Sequence, residues 1–154
     1  TPEAPRGVPQ ALAAIARAQL VVLGPGSLYT SVIPNVLVPE VREAIAATRA
    51  WVVYVCNVMT QPGETDGYTA ADHVAALYRH GLAGLIDAVL VNEAPVSDQL
   101  VATYGRFGAR PVVVDDRRLK AFGVKVVRAP VAAESDVVRH DPDRLSQALV
   151  RLVR

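Results

Sequence analysis

The chain has 154 residues, of which 51% are hydrophobic and 20% charged, and its formal net charge is +1. This composition is typical of one globular domain and excludes a disordered segment, and a chain of this length buries about two-thirds of its unfolded surface. Acidic and basic residues are interspersed, so the sequence lacks the clustered basic face of a nucleic-acid-binding protein. No apolar run approaches the ~20 residues that span a bilayer, so we expect neither a nucleic-acid partner nor a membrane span.

Cys56 is the single cysteine, and it lies inside the apolar segment WVVYVCN. One cysteine excludes an intrachain disulfide framework and a cysteine-rich zinc site. We predict a buried, inert thiol, the alternative being a reactive one. No signal peptide is visible, and the start at Thr1 without a methionine indicates a fragment or a processed chain, so a cytoplasmic location is the default expectation.

Helix-like and strand-like segments alternate along the whole chain. Composition and capping signals predict, in chain order, a helix at 9–18, a strand at 18–23, a helix at 39–48, a strand at 51–58, a helix at 69–81, a strand at 87–93, a helix from about 97 to 107, strands at 110–116 and 124–131, and a helix at 141–153. Thr69 with Asp72 forms the pattern of a capping box, and Asp141 followed by Pro142 is a typical helix start.

Continuous apolar strands separated by helices indicate an α/β fold with a mostly parallel sheet and helices on both faces. No linker divides the chain, so we predict a single domain over residues 1–154. Ligands of open parallel sheets bind beyond the carboxyl ends of the strands. The most unusual stretches of this sequence, LGPGSLYTSVIPN (23–35) and CNVMTQPGETDGYTAADH (56–73), both follow predicted strands.

The first of these stretches carries a glycine pair, Gly24 and Gly26, directly after a strand. Glycines let the backbone approach an anion closely, and a following helix start offers free N–H groups. Ser27 and three further hydroxyl groups nearby favour phosphate binding over the alternative of a structural turn. Tyr29 stands where a dinucleotide fingerprint requires its third glycine, so this is not a Rossmann dinucleotide motif.

The second stretch carries amide and carboxylate side chains. Asn57 and Gln61 can both donate and accept hydrogen bonds, which suits a base, a sugar or an amide ligand. Glu64, Thr65 and Asp66 follow a Pro-Gly turn. Its two carboxylates could bind Mg²⁺ or supply a base, or they could form a solvated acidic turn.

A third candidate lies late in the chain, where Arg139 and His140 precede a predicted helix start. A guanidinium binds phosphate bidentately, although Arg139 could equally pair with Asp136 or Asp141. Tyr104 fits a buried helix face, and stacking on a base is the alternative. Nothing in the sequence marks a nucleophile, so catalytic residues stay unassigned.

Together the segments LGPGSLYTSVIPN, CNVMTQPGETDGYTAADH and RHDP resemble the gluconeogenesis factor family (YvcK-like proteins), which is related to 2-phospho-L-lactate transferase (CofD-like). The resemblance runs essentially from end to end of this chain. Members of that family are about twice as long and begin with a glycine-rich turn that is not found here. The chain therefore resembles the carboxy-terminal half of the family architecture.

This resemblance implies a Rossmann-like fold in the bacterial cytoplasm. It further implies a regulator that binds UDP-sugars such as UDP-N-acetylglucosamine and that is required for gluconeogenic growth, cell shape and cell-wall synthesis. In that family a tyrosine and an arginine contact the UDP-sugar, and by position they correspond to Tyr104 and Arg139.

We therefore expect a non-catalytic nucleotide-sugar-binding protein with a homodimeric assembly and a regulatory protein partner that the sequence does not name. The expected ligand-binding residues are Gly24, Gly26 and Ser27 at phosphate, Asn57, Gln61, Glu64 and Thr65 on the sugar or metal side, and Tyr104 and Arg139 at the uridine diphosphate. No metal ligand is assigned, and Mg²⁺ accompanying the nucleotide is the one cofactor considered. The alternative is an enzyme, a Mg²⁺-dependent transferase that moves a phospholactyl group from a nucleotide-activated donor to a deazaflavin.

Overall fold

A computed structural model describes residues 5–153 of the chain. Its helices are α1 (Pro9–Arg17), α2 (Ile33–Val36), α3 (Pro39–Ala47), α4 (Ala70–Leu77), α5 (Asp98–Gly105), α6 (Asp116–Ala121) and α7 (Pro142–Val150). Its strands are β1 (Leu20–Leu23), β2 (Trp51–Val55), β3 (Ala88–Asn92), β4 (Lys125–Ala129), β5 (Ala132–Glu134) and β6 (Val138–His140). A short π-helical turn, Leu28–Val32, leads into α2. The segment Tyr78–Leu82 continues α4 and leaves the helical conformation at Gly81, whose φ is +95°.

Within residues 5–153, β1 to β4 form one parallel sheet in the order β1-β2-β3-β4. The predicted α/β fold with a parallel sheet is therefore confirmed. The carboxyl ends of all four strands lie at the same edge of the sheet, where the loops that follow them meet. The strands β5 and β6 form a separate antiparallel hairpin, in which Ala133 is paired with Arg139.

Helices pack on both faces of the sheet, as predicted. Alternate residues of the strands point to opposite faces. On one face Val53, Val55 and Leu90 pack against Leu145 of α7. On the other face the larger cluster includes residues of α3, α4 and α6 together with the turn that precedes α2.

The strand predicted at 110–116 is wrong. β3 pairs directly with β4, which leaves no place in the sheet for another strand between them. The segment runs instead beside the loop after β2, through an isolated antiparallel bridge between Pro111 and Met59 and a bond from the Val112 amide to the Val58 carbonyl (2.9 Å). An apolar run of this length fits a strand or a covering segment equally well, and here it covers the larger cluster, which Val112 and Val114 join.

The hairpin formed by β5 and β6 lies between the strand predicted at 124–131 and the helix predicted at 141–153, where the sequence analysis predicted no strand. The predicted helix caps are confirmed: the Thr69 side chain accepts from the Asp72 amide while Asp72 accepts from the Thr69 amide, and Asp141 caps α7. Cys56 is 2% exposed, and burial raises the pKa of its thiol to about 12, which confirms the predicted buried thiol. No helix among residues 5–153 is long and apolar enough to cross a membrane.

Candidate functional site

An open cleft of about 880 Å³ lies at the carboxyl edge of the sheet. Four segments form its walls: the loop after β1, the loop after β2, the end of α5 with the residues that follow, and the β5–β6 hairpin. The residues that line it are Pro25, Gly26, Ser27, Asn57, Val58, Met59, Thr60, Gln61, Pro62, Glu64, Tyr104, Phe107, Ala109, Val138, Arg139 and His140. Seven of the nine residues that the sequence predicted for a ligand site are among them.

Gly24 does not line this cleft. Its φ of +91° lies in the left-handed region, and a Cβ at this position would stand 3.2 Å from the Val55 carbonyl oxygen. Only glycine combines that conformation with so close an approach of two backbones. Gly24 thus shapes the turn, and Pro25, Gly26 and Ser27 are the residues of the turn that reach the cleft.

Glu64 links the second loop to the first. Its Oε1 atom accepts a hydrogen bond from the Tyr29 amide (2.7 Å) and another from the Ser27 hydroxyl. The Glu64 carboxylate therefore already accepts from two donors near the helix start, where the sequence predicted phosphate binding. The amides of Gly26 and Ser27 have no acceptor among the residues that the structure describes, so they are the donors of this turn that a ligand can use.

Asn57 and Gln61 form the polar wall beside Glu64. The side-chain Nδ2 atom of Asn57 donates to the Oε1 atom of Gln61 at 3.2 Å. The Asn57 Oδ1 atom is buried and has no hydrogen-bond partner within residues 5–153. A buried acceptor without a partner costs about 1–3 kcal/mol, so a donor supplied by a ligand or by water fits this position.

Thr65 and Asp66 lie outside the cleft. Thr65 is completely buried, and its hydroxyl accepts from the Gln61 amide (2.9 Å), which tightens the turn that carries Gln61 and Glu64. Asp66 is exposed and accepts from the Gly63 amide (2.7 Å). The two carboxylates therefore do not meet in the cleft, and residues 5–153 contain no group of three or more acidic, histidine or cysteine side chains placed to hold a metal ion.

The β5–β6 hairpin forms the opposite wall and is attached to the rest of the fold by side-chain hydrogen bonds. The Val138 amide donates to the Tyr104 hydroxyl (3.0 Å), and the Ala132 amide donates to the Asn92 side chain (3.0 Å). His140 Nε2 lies 3.3 Å from the Cys56 carbonyl oxygen, and since a carbonyl only accepts, Nε2 carries the proton. Tyr104 thus holds the backbone of the hairpin next to Arg139.

Arg139 supplies the positive charge of the cleft. Its side chain has no hydrogen bond or ion pair within residues 5–153, and Asp141, one of its predicted alternative partners, pairs with Arg144 at 3.6 Å. Burial lowers the pKa of His140, because desolvation disfavours the charged imidazolium, so this side chain is neutral at neutral pH. The formal charges among the described lining residues are therefore those of Arg139 and Glu64.

Phe107 is a lining residue that the sequence analysis missed. It lies two residues after the end of α5, directly before Gly108 and three residues after Tyr104. A phenylalanine that ends a predicted helix and precedes a glycine is the signal that was available, because glycine commonly follows the end of a helix. Val58, Met59 and Ala109 were also missed; they are buried and form an apolar part of the lining.

A polar cluster outside the cleft lining connects the end of the second loop to the start of α6. Asp115 accepts from the Ala71 amide (3.0 Å), and the Thr69 hydroxyl lies 2.9 Å from Asp115 and 2.8 Å from Asp72. Arg118 bridges the two carboxylates at 2.7 Å from Asp72 and 3.1 Å from Asp115. These bonds hold the start of α4, and with it the end of the loop that carries Glu64.

This cluster predicts an acid-dependent loss of stability. The Arg118 guanidinium lowers the pKa of Asp72 from its ordinary value of 3.8 to about 2. A carboxyl with a depressed pKa in the folded state stabilises the fold above about pH 4, and that contribution is lost as the pH falls from about 4 to about 2. We expect Asp72→Asn to flatten the pH dependence of the free energy of unfolding in this window, measured by urea titration. An unchanged slope would contradict the assignment.

Comparisons with known proteins agree with this fold. The sequence profile of the family described as 2-phospho-L-lactate transferase CofD matches residues 1–132. The chain belongs to the CofD family.

Within that family, this CofD-family chain is similar to proteins named gluconeogenesis factor, which confirms the resemblance seen in the sequence. It is 47% identical over 151 residues to the gluconeogenesis factor of Halalkalibacterium halodurans, covering 97% of this chain and 47% of the relative. It is 46% identical over 155 residues to that of Bacillus subtilis, covering 100% of this chain and 49% of the relative. The chain thus spans about half the length of the curated relatives it matches.

A solved structure gives the same result for the fold. The crystal structure of a protein from Bacillus halodurans superposes with a TM-score of 0.93 at 46% sequence identity. The superposition covers 97% of this chain and 49% of that chain. The parallel sheet and its helices are therefore those of the CofD family.

Proposed function

We propose that this chain binds a nucleotide sugar, represented by UDP-N-acetylglucosamine, in the cleft at the carboxyl edge of the sheet. The observation that carries the proposal is that seven of the nine residues predicted from the sequence line this one cleft. They come from the loops after β1 and β2, from α5 and from the hairpin, so distant segments of the chain converge on one place.

The chemistry of the walls supports the same ligand class. Arg139 offers a planar guanidinium to a diphosphate, and the free amides of Gly26 and Ser27 offer further donors. Asn57, Gln61 and Glu64 bring amide and carboxylate groups that suit the hydroxyl and amide groups of a sugar. Gly24 and Thr65 support the two loops and do not contact the ligand. Glu64 is the residue that would bind a Mg²⁺ ion accompanying the nucleotide.

The biological part of the proposal follows the similarity to the gluconeogenesis factors. We propose a non-catalytic regulator in the bacterial cytoplasm that supports gluconeogenic growth, cell shape and cell-wall synthesis through a protein partner. A homodimer formed along the open edge of β1 is part of this proposal, and light scattering measures it. A monomeric mass at high protein concentration would contradict that assembly.

Isothermal titration calorimetry with UDP-N-acetylglucosamine tests ligand binding by the chain. We expect saturable heat at micromolar to millimolar ligand, and a smaller heat at raised ionic strength because a charge-assisted contact to phosphate is screened by salt. Absence of heat at millimolar ligand would overturn the proposal. Calorimetry with added Mg²⁺ shows whether the cation changes the affinity.

The second candidate is a transferase, which the match of residues 1–132 to the 2-phospho-L-lactate transferase family favours. In that case the same cleft would hold a nucleotide-activated phospholactyl donor, and a deazaflavin would be the acceptor. Turnover of a deazaflavin acceptor by the chain in the presence of Mg²⁺ would support the enzyme. Ligand binding without turnover would support the regulator.

A further inference from the structure

The end of α5 fixes the position of Phe107 through its backbone. The Ala109 amide donates to the Tyr104 carbonyl and the Gly108 amide to the Gly105 carbonyl, both at 3.1 Å. Gly108 has a φ of +81°, the left-handed conformation that closes a helix in a Schellman motif. Phe107 is therefore held by the hydrogen-bonded end of a helix and does not belong to a free loop.

The side chain of Phe107 is nevertheless unusually exposed. Its exposed fraction of 74% is the highest among the large hydrophobic side chains of the described residues. It lines the cleft together with Tyr104, which lies three positions earlier. Residues three apart lie on the same side of a helix and of the turn that closes it, so the end of α5 and the turn after it present two aromatic rings to one cavity.

The two rings differ in what already contacts them. Tyr104 packs against the small cluster of Val58, Met59 and Ala132, and its hydroxyl accepts from the Val138 amide. Phe107 belongs to none of the buried clusters found within residues 5–153. A single exposed apolar side chain on a surface is ordinary, but this one stands on the wall of the proposed ligand cleft.

The contacts proposed for the rest of the cleft leave the flat face of the nucleobase without a partner, because Tyr104 already packs against the small cluster. Asn57, Gln61 and Glu64 match sugar hydroxyl groups, and Arg139 matches phosphate. A nucleobase presents a flat π-face and gains most from stacking on an aromatic ring. Phe107 carries no polar atom, so such stacking is the contact it can offer.

We propose that Phe107 is the stacking surface for the nucleobase of the bound nucleotide. This inference rests on the proposed function and assigns the base to the α5 side of the cleft. Every base has a π-face, so Phe107 contributes affinity for any nucleobase and does not select among them. Selection among bases would then fall to the polar groups around it.

Calorimetry with three probes tests the inference: UDP, GDP and N-acetylglucosamine 1-phosphate, which carries no base. We expect Phe107→Ala to weaken UDP and GDP about 10-fold and to leave N-acetylglucosamine 1-phosphate unchanged. Phe107→Trp keeps an aromatic face and should retain the affinity for both nucleotides. Val113→Ala is the matched control, because Val113 is 61% exposed and does not line the cleft.

The outcomes separate this inference from the proposed function. If the unchanged chain binds neither nucleotide, the proposed function fails and this inference fails with it. If the unchanged chain binds UDP and Phe107→Ala binds it equally well, only the stacking role is overturned. An equal loss for all three probes would also overturn it, since the variant would then have disturbed the whole cleft.

Discussion

Arg139→Ala should weaken the binding of UDP-N-acetylglucosamine to this chain by roughly 10- to 100-fold, because a hydrogen bond to a charged group contributes about 1.5–3 kcal/mol. The effect is large because the other charged lining residue of the described chain, Glu64, is an anion and repels phosphate. His140 does not replace the lost charge, since burial lowers its pKa. Calorimetry at low and at physiological ionic strength measures the change.

Two further variants make this prediction sharper. Arg151→Ala removes the same charge from an exposed residue that does not line the cleft, so it should leave the affinity unchanged. Arg139→Lys keeps the charge and loses the bidentate geometry, so an intermediate affinity is expected. Equal affinities of Arg139→Ala and the unchanged chain would refute the role of Arg139 at the phosphates.

Asp115→Ala should lower the free energy of unfolding by about 2–4 kcal/mol. The change removes a charged acceptor from the Ala71 amide and from the Thr69 hydroxyl, as well as an ion pair with Arg118. Ala71 is completely buried, so its amide would be left without a partner or water. Urea denaturation followed by circular dichroism measures the loss.

The neighbouring residue supplies a control with the same change of charge. Asp116 is 61% exposed and pairs with Arg128 on the surface. Exposed ion pairs contribute about 0–1 kcal/mol, so Asp116→Ala should cost far less than Asp115→Ala. If both substitutions cost the same, the buried hydrogen bonds of Asp115 would not explain its effect.

Several parts of the fold could be predicted because their causes lie close together in the sequence. The capping box of Thr69 and Asp72 and the cap of α7 depend on residues within one helical turn. The strands β1, β2 and β3 have the apolar runs that a sheet covered on both faces requires. The burial of Cys56 follows from its place at the end of such a run.

The sequence analysis missed the structure of two segments, one because its pattern fits two structures and the other because distant groups hold it. The apolar segment at 110–116 has the composition of a strand, but β3 and β4 pair directly and the segment covers the core beside the loop after β2. The hairpin of β5 and β6 is held largely by groups far away in the chain, such as Asn92 and Tyr104, and no local pattern reports those bonds.

By itself, the sequence determined the fold class, the helix caps and the loops that carry the candidate site, because each depends on local pattern and on the common direction of parallel strands. Only the tertiary structure decided which residues of those loops line the cleft and which residues support it. It placed Glu64 on the donors of Ser27 and Tyr29, turned Gly24 and Thr65 away from the cleft, and brought Phe107 onto its wall. These outcomes depend on which contacts form between segments far apart in the chain, and residue type alone does not specify that choice.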